Sequence, residues 1–434
     1  MTQQLAEKST PYWWEAAPVA PLPPADLPKQ ADVVVVGAGF SGLTAALMLA
    51  RAGRSVVVLD KMNPGEGASS RNGGITSGNI RPNFAALKKA FGEAKALAIE
   101  AEGKIAREFI YDLIATERLD CDFQLTGKFG GAIGAEQYET NARSADDLQR
   151  KLGIEAYAVP HIEQHQFIGS DFYRGGYVRM DIGGLHPAKF HAEILRVTLA
   201  AGATVISGVQ VEDISKHAKG HRVRTSKGAI DARQVLICTN GYTDGATPWL
   251  RRRLVPVRSR MIATQPLAPE VMDRLMPKRM MMGEGLILGH YFRPSPDGTC
   301  ILLGGRDASS KGDPAKPTIL MKQGLARIFP ELRDVRLSHS WFGNVAMNRD
   351  MLPRLFEHDG MTFATGFCGS GVVWAPWLGS RAALKLLRDD RSATPLDFRP
   401  PSAVPLYNGK PYFMPALIAS YRLRDKRAMA KATR

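Results

Sequence analysis

The chain is poor in cysteine, short of acid and free of long apolar runs. Four thiols, Cys121, Cys238, Cys300 and Cys368, are scattered over 434 residues, and no two form a C-x-x-C pair. That excludes a disulfide framework and the usual spacing of a zinc site, leaving small buried thiols as the expectation. No stretch reaches the roughly 18 uninterrupted apolar residues of a membrane span, and residues 1–10 are polar with no apolar signal core. The expectation is a cytoplasmic protein without a transmembrane segment. Acidic residues number 42 against 57 basic ones, a formal charge of +15. Such a balance invites an anionic partner: nucleic acid, an acidic membrane surface or a carboxylated substrate. Part of the excess sits in the tail, where Arg422, Arg424, Lys426, Arg427, Lys431 and Arg434 follow Tyr421 with little apolar periodicity. This reads as a solvated terminal helix or a frayed end rather than a lipid or RNA contact.

What is present excludes a disordered chain. At 44% apolar and 23% charged residues, the sequence can bury a substantial core and supports two interleaved domains. Residues 16–28 are rich in proline and alanine, which forbids regular structure and predicts an extended arm within residues 1–30. The run Ala31-Asp32-Val33-Val34-Val35-Val36 then reads as a strand buried on both faces of a parallel sheet. It enters Gly37-Ala38-Gly39-Phe40-Ser41-Gly42, a helix is predicted over 43–52, Gly53 ends it, and a second strand over 55–59 closes on Asp60.

The spacing carries chemistry. Gly37 permits the tight turn, Gly39 lets backbone approach a diphosphate, and Gly42 lets helix and strand pack closely. The helix amino terminus offers unpaired N–H groups and the positive end of its dipole. Asp60 is spaced to accept hydrogen bonds from ribose hydroxyls and would repel a 2′-phosphate, disfavouring NADP. A second glycine- and hydroxyl-rich loop, Gly65-Glu66-Gly67-Ala68-Ser69-Ser70-Arg71-Asn72-Gly73-Gly74, follows directly. Its position suits wrapping a diphosphate and reaching a flavin edge, which favours FAD over NAD.

With these residues in hand, the chain resembles the D-amino-acid oxidase superfamily of flavoproteins, which includes glycine oxidase and sarcosine oxidase. The resemblance runs along nearly the whole chain. It is most similar to the γ-glutamylputrescine oxidase branch, through Tyr12-Trp13-Trp14 ahead of a proline arm and the G-A-S-x-R-N-G-G loop at 67–74. Later segments agree in order. A helix opens at Leu185-His186-Pro187 and runs to 201, a strand begins at 204–207, and Val211 matches a valine whose backbone contacts adenine. Cys238-Thr239-Asn240-Gly241-Tyr242 ends a strand predicted over 231–240, and Gly366-Phe367-Cys368-Gly369-Ser370-Gly371-Val372 precedes a helix predicted from about 375 to 388. Pro376 is expected in its first turn, where proline is tolerated. N–H groups at that helix start would stabilise the charge that hydride arrival drives to the flavin N1 edge.

The resemblance implies an α/β fold, with an FAD-binding Rossmann-like (glutathione reductase-type) domain at 31–121, 182–249 and 349–390. An antiparallel-sheet substrate domain occupies 122–181 and 250–348, centred on 255–264 and 286–304, and 391–434 forms an extension. It implies FAD held by Gly37, Gly39, Phe40, Ser41, Gly42, Asp60, Lys61, Gly67, Ala68, Ser69, Ser70, Arg71, Asn72, Gly73, Gly74, Val211, Thr239, Asn240, Gly241, Gly366, Gly369, Ser370, Gly371 and Val372. The histidine that carries covalent flavin in some relatives would fall near Ser70 or Arg71 and is absent, so noncovalent FAD is expected, with Cys300 and Cys368 leaving a cysteinyl route. Gly74 is followed by Ile75, where the branch often has a polar residue.

For substrate, Tyr291 and Arg293 resemble a Y-x-R element, and alternation in a strand puts both on one face, where an arginine would clamp a carboxylate. Trp341 and Asn344 match a W-x-G segment near the flavin, Trp374 follows the closing glycines, and Arg81 is a further candidate. No general base is assigned. The implied activity is oxidation of a C–N bond of an amine or amino acid by hydride transfer to flavin N5, giving an imine that hydrolyses to a carbonyl product, with oxygen or another acceptor regenerating the flavin. Two alternatives stay open: a domain oxidising an aminomethyl group on a tRNA wobble base, for which no RNA module is visible, and a nonenzymatic electron-transfer flavoprotein. A flavin monooxygenase is disfavoured by the lack of its G-D segment.

Overall fold

A computed structural model of the chain describes residues 6–217, 219–306 and 315–432. The first five residues of the polar start and Arg434 of the basic tail lie outside the described residues.

The valine run forms the strand Gln30–Val36 at the middle of an eight-stranded sheet, parallel on one side to Val56–Leu59 and on the other to Gly228–Ile237. Val33, Val34 and Val35 are wholly buried, as β-branched side chains covered on both sheet faces should be. Thr204–Ile206 extends the sheet beyond Val56–Leu59, and Met361–Thr365 extends it beyond Gly228–Ile237, with Arg354–His358 outermost. The hairpin Val211–His217 and Gly220–Thr225 joins through Gly228–Ile237.

A second eight-stranded sheet runs in the order Leu337–Met347, Val255–Thr264, Ile301–Arg306, Tyr291–Pro294, Met281–Glu284, Lys128–Gly131, Gly176–Arg179 and Ala156–Val159. Its pairings are antiparallel except that between Met281–Glu284 and Lys128–Gly131. The first sheet draws its strands from residues 30–59, 204–237 and 354–365 and the second from 128–179 and 255–347, so the two interleave along the chain. The fold is α/β, with a Rossmann-like sheet and a mainly antiparallel one.

Several elements differ from the sequence reading. Residues 122–181 include the 18-residue helix Ala135–Leu152, closed by Gly153 in the left-handed region. Most of its side chains face solvent, with only Ala145 fully buried, so the short apolar stripe that periodicity needs is weak. The 24-residue helix Glu93–Thr116 also gave no clear signal. The helix expected from about 375 spans Gly371–Leu386, which leaves Pro376 inside it, past the first turn, without an N–H for the Val372 carbonyl. Residues 286–304 contain two strands, Tyr291–Pro294 and the start of Ile301–Arg306, preceded by a loop. The basic tail forms a helix, Met414–Ala432, in which Arg422, Arg424, Lys426, Arg427 and Lys431 are exposed, in keeping with the solvated terminal helix expected, while Asp425 is buried. The arm at 16–28 is irregular as expected, and Trp13 ahead of it is wholly buried.

Candidate functional site

Strand Gln30–Val36 ends at Gly37, whose φ of +110° favours glycine. Helix Phe40–Arg51 follows, and a Cβ at Gly42 would stand 1.9 Å from the Gly37 carbonyl oxygen, so no larger residue fits the turn. The amino-terminal cap, Gly39, has no side chain to satisfy first-turn donors. Phe40 N–H donates to Ser69 Oγ at 3.0 Å; the N–H groups of Ser41 and Gly42 have no partner within the helix, because the first turn lacks preceding carbonyls. Asp60 accepts from Ala38 N at 2.8 Å and Met62 N at 2.9 Å, and burial lifts its carboxyl above the usual range.

The loop at 65–74 is braced from within and behind. Asn72 Nδ2 donates to the carbonyls of Ala68 (3.1 Å) and Ser69 (2.7 Å), and its Oδ1 accepts from Gly74 N at 2.8 Å. Ser70 Oγ donates to the Gly65 carbonyl at 2.7 Å and accepts from Trp14 Nε1 at 2.8 Å. Trp13 Nε1 reaches the Asn72 carbonyl at 2.7 Å, and the Arg71 guanidinium lies 4.6 Å over the Trp14 ring. Trp13 and Trp14 are therefore props for this loop. His191 is buried beneath the first turn, its Nε2 donating to the Ala38 carbonyl at 2.8 Å, and burial pushes its pKa down to about 4.

These elements border a cavity of about 710 Å³ between the two sheets. Gly37, Gly39, Phe40, Ser41, Asp60, Lys61, Gly67, Ala68, Ser69, Arg71, Asn72, Gly73, Val211, Thr239, Asn240, Gly369, Ser370, Gly371 and Val372 line it. Gly42, Ser70, Gly74, Gly241 and Gly366 stand behind its walls, where they set the backbone path. Lys61 spends its ammonium on Asp244 (2.6 Å) and the Tyr242 carbonyl (3.0 Å). The Val211 carbonyl accepts from Gln210 Nε2 at 2.7 Å. Asn240 Oδ1 accepts from Gly366 N at 2.9 Å, joining the end of one strand to the closing glycine turn. Helix Gly371–Leu386 starts at the cavity with no side-chain cap, so a second helix amino terminus faces the space.

The substrate candidates separate into two groups. Tyr291, Asn344 and Arg81 line the cavity; Arg293, Trp341 and Trp374 do not. Arg293, 1% exposed, donates through Nη1 to the Leu185 carbonyl at 2.7 Å and to those of Gly73 and Gly74 at 3.4 and 3.3 Å. It holds the glycine loop from behind, so the sequence expectation of a carboxylate clamp at Arg293 is corrected. Trp341 Nε1 donates to the Arg71 carbonyl at 2.8 Å and Trp374 Nε1 to the Asn79 carbonyl at 3.2 Å, both rings being buried. Tyr291 Oη is 3.3 Å from Ser259 Oγ, and burial raises its phenol pKa.

Sequence reasoning passed over Arg306, the last residue of strand Ile301–Arg306, which lines the cavity. Burial first, and then the neighbouring charge of Arg81, bring its pKa down to about 10, so it stays charged at neutral pH. Arg81, an exposed residue, is likewise lowered, chiefly by partial desolvation, and its Nε donates to the Cys368 carbonyl at 2.7 Å. Among the described residues neither guanidinium has a carboxylate within ion-pair distance. The one local signal for Arg306 is the Gly304-Gly305-Arg306 ending of an apolar strand. Tyr421, from helix Met414–Ala432, also lines the cavity and had no sequence signal. Neither Cys300 nor Cys368 borders the cavity, and the described residues contain no cluster of three or more metal-ligating side chains. No helix among them is long and apolar enough to cross a membrane.

A family model described as FAD dependent oxidoreductase, DAO, matches residues 32–384. The chain is 30% identical over 386 residues to the probable oxidoreductase OrdL of Haemophilus influenzae, covering 85% of this chain and 86% of that protein. Gamma-glutamylputrescine oxidoreductase of Escherichia coli is 29% identical over 83% of this chain and 84% of its own length. The crystal structure of glycine oxidase from Geobacillus kaustophilus has a similar fold, with a TM-score of 0.71 at 20% identity over 84% of this chain and 96% of that one.

Proposed function

The chain belongs to the DAO family of FAD dependent oxidoreductases, and on that premise we propose that it oxidises a C–N bond of an amine whose other end carries an anion, most simply a carboxylate. The observation that carries this reading is the pair Arg81 and Arg306. Two guanidiniums bordering one cavity, Arg81 exposed and Arg306 half-buried, with no carboxylate at ion-pair distance among the described residues, repel each other; an entering anion relieves that repulsion. The same positive field disfavours an ammonium and favours the neutral amine, the form that can give up a hydride. The name of the E. coli relative joins an amine to a γ-glutamyl group, and such a group bears a carboxylate.

The cradle fits FAD. The Ser41 N–H at the first helix start suits the diphosphate, Asp60 suits ribose hydroxyls, and Gly371 and Val372 N–H suit the electronegative edge of the ring. When bound, FAD supplies at N5 the acceptor for a hydride from the amine-bearing carbon, and the imine left on the substrate adds water to give a carbonyl compound and an amine or ammonia. Arg306 and Arg81 bind and orient the anionic end. Tyr291, with its hydroxyl on Ser259, and Asn344 bound the space beside it, while Met261 and Ile75 contribute apolar wall that excludes water. No side chain is assigned as a general base.

Anaerobic visible spectroscopy tests the reading. The purified yellow protein is mixed with γ-glutamyl amines, polyamines, N-methyl amino acids and D-amino acids. Bleaching of the flavin band near roughly 450 nm is expected from members bearing both an amine and a carboxylate. A flavin bleached equally well by amines with no anionic group would overturn the anion assignment.

A further inference from the structure

Helix Met414–Ala432 lies wholly beyond the segment matched by the family model, 32–384. Its surroundings follow its own period: Ile418 and Asp425 are buried, Leu417, Tyr421 and Met429 are half-buried, and most positions between them are exposed. Those residues recur at intervals of three and four and form one stripe. The stripe is docked at one point by a carboxylate. Asp425, 8% exposed, accepts from Ile287 N at 2.9 Å and from Leu288 N at 2.8 Å, two consecutive N–H groups of the loop between strands Met281–Glu284 and Tyr291–Pro294. Charge-assisted bonds of this kind are stronger than neutral ones.

The loop that receives Asp425 is itself anchored. The Glu284 side chain is fully buried and accepts from His290 N (2.9 Å), His290 Nδ1 (2.7 Å) and Arg327 Nη2 (3.1 Å). Gln137 Nε2 donates to the Gly285 carbonyl at 2.8 Å. Leu286, Ile287 and Gly289 of this loop line the cavity, and so does Tyr421, one helical turn before Asp425. Tyr421 and Asp425 both lie near enough to Arg306 to act on its charge.

We propose that this helix is a wall of the substrate site, held by Asp425 on the loop at 285–290, and that Tyr421 is a specificity-determining residue which limits the size of the group seated at Arg306. The proposal rests on the reading that Arg306 receives the anionic end of the substrate. With the helix in place the cavity is closed on that side by an aromatic ring; without it the loop loses the partner of two backbone donors and the space beside Arg306 opens to solvent.

The test uses the flavin-loaded protein and the variants Asp425→Ala and Tyr421→Ala, with Ser420→Ala, exposed on the same helix, as control. Quenching of flavin fluorescence by acrylamide, a neutral probe, reads the covering of the cavity. A several-fold rise in the quenching constant is expected for Asp425→Ala and Tyr421→Ala and none for Ser420→Ala. For the amine that bleaches the wild type, and a homologue longer by one methylene on its anionic side, Tyr421→Ala is expected to shift the ratio of kcat/KM about tenfold toward the longer compound, with kcat little changed. Unchanged quenching in both variants overturns the wall, and an unchanged ratio overturns the role of Tyr421. A wild type that no amine bleaches sinks the amine reading instead, while the quenching comparison still decides the helix.

Discussion

Replacing Arg306 by methionine keeps much of the side chain's volume and removes its charge. The residue ends an inner strand paired with Val255–Thr264, so the backbone has its own hydrogen bonds and the fold should survive. In the free protein the change relieves the mutual repulsion with Arg81 that helps bring the Arg306 pKa to about 10, so thermal stability should hold or rise slightly. Binding moves the other way. A hydrogen bond to a charged partner contributes about 1.5–3 kcal/mol, which corresponds to a loss of roughly 10- to 150-fold in kcat/KM. The loss should fall on KM, because an anion remote from the reacting carbon is held alike in ground and transition states. The assay compares anaerobic flavin reduction by a carboxylated amine with reduction by its neutral amide. The acid should lose its advantage while the amide is nearly unaffected. Equal loss on acid and amide would refute the reasoning, since it would mean that Arg306 shapes the cavity rather than reading charge.

Arg293→Met should behave in the opposite manner: the carbonyls of Leu185, Gly73 and Gly74 lose their shared donor, costing on the order of 3 kcal/mol of stability. Thermal unfolding should register that loss while the acid-to-amide preference stays unchanged. Asp60→Ala leaves the N–H groups of Ala38 and Met62 without their acceptor and removes the carboxylate expected at the ribose; flavin affinity, followed as the ratio of visible to ultraviolet absorbance on dilution, should fall at least about tenfold. Stability should also fall with acid. His186 and His191 are buried with pKa values pushed down to about 4 from an ordinary 6.5, so between pH 6.5 and 4 the unfolded chain binds more protons than the folded one. Each then costs about 1.4 kcal/mol per pH unit, reaching about 3 kcal/mol at pH 4. Denaturant melts across this range should show the slope, and His191→Asn should flatten it; an unaltered slope in that variant would remove His191 from the account.

The dinucleotide half was legible because its constraints are local. A buried parallel strand needs the β-branched run at 31–36, the turn after it needs Gly37 and Gly42, and the helix start offers backbone donors whose position follows from spacing alone. The loop at 65–74 could be read for the same reason, although Ser70 and Gly74 stand behind the wall. Helices Ala135–Leu152 and Glu93–Thr116 escaped, since long exposed faces dilute the apolar period, and the closing helix began four residues earlier than its proline had indicated.

What the residues alone determined is therefore the α/β class, the cofactor FAD and the family. Which side chains border the cavity was decided by tertiary structure. Tyr291 and Arg293 share a strand and were expected to share a task, yet the glycine loop covers Arg293, and its guanidinium is used by three carbonyls. Arg306 and Arg81 are far apart in sequence and become neighbours only when the second sheet closes over the first. Tyr421 enters the cavity because Asp425, one turn further on, finds two backbone donors on a loop from another part of the chain. Local patterns specify backbone geometry; convergence of side chains from distant segments depends on how sheets and helices pack, which no local pattern records.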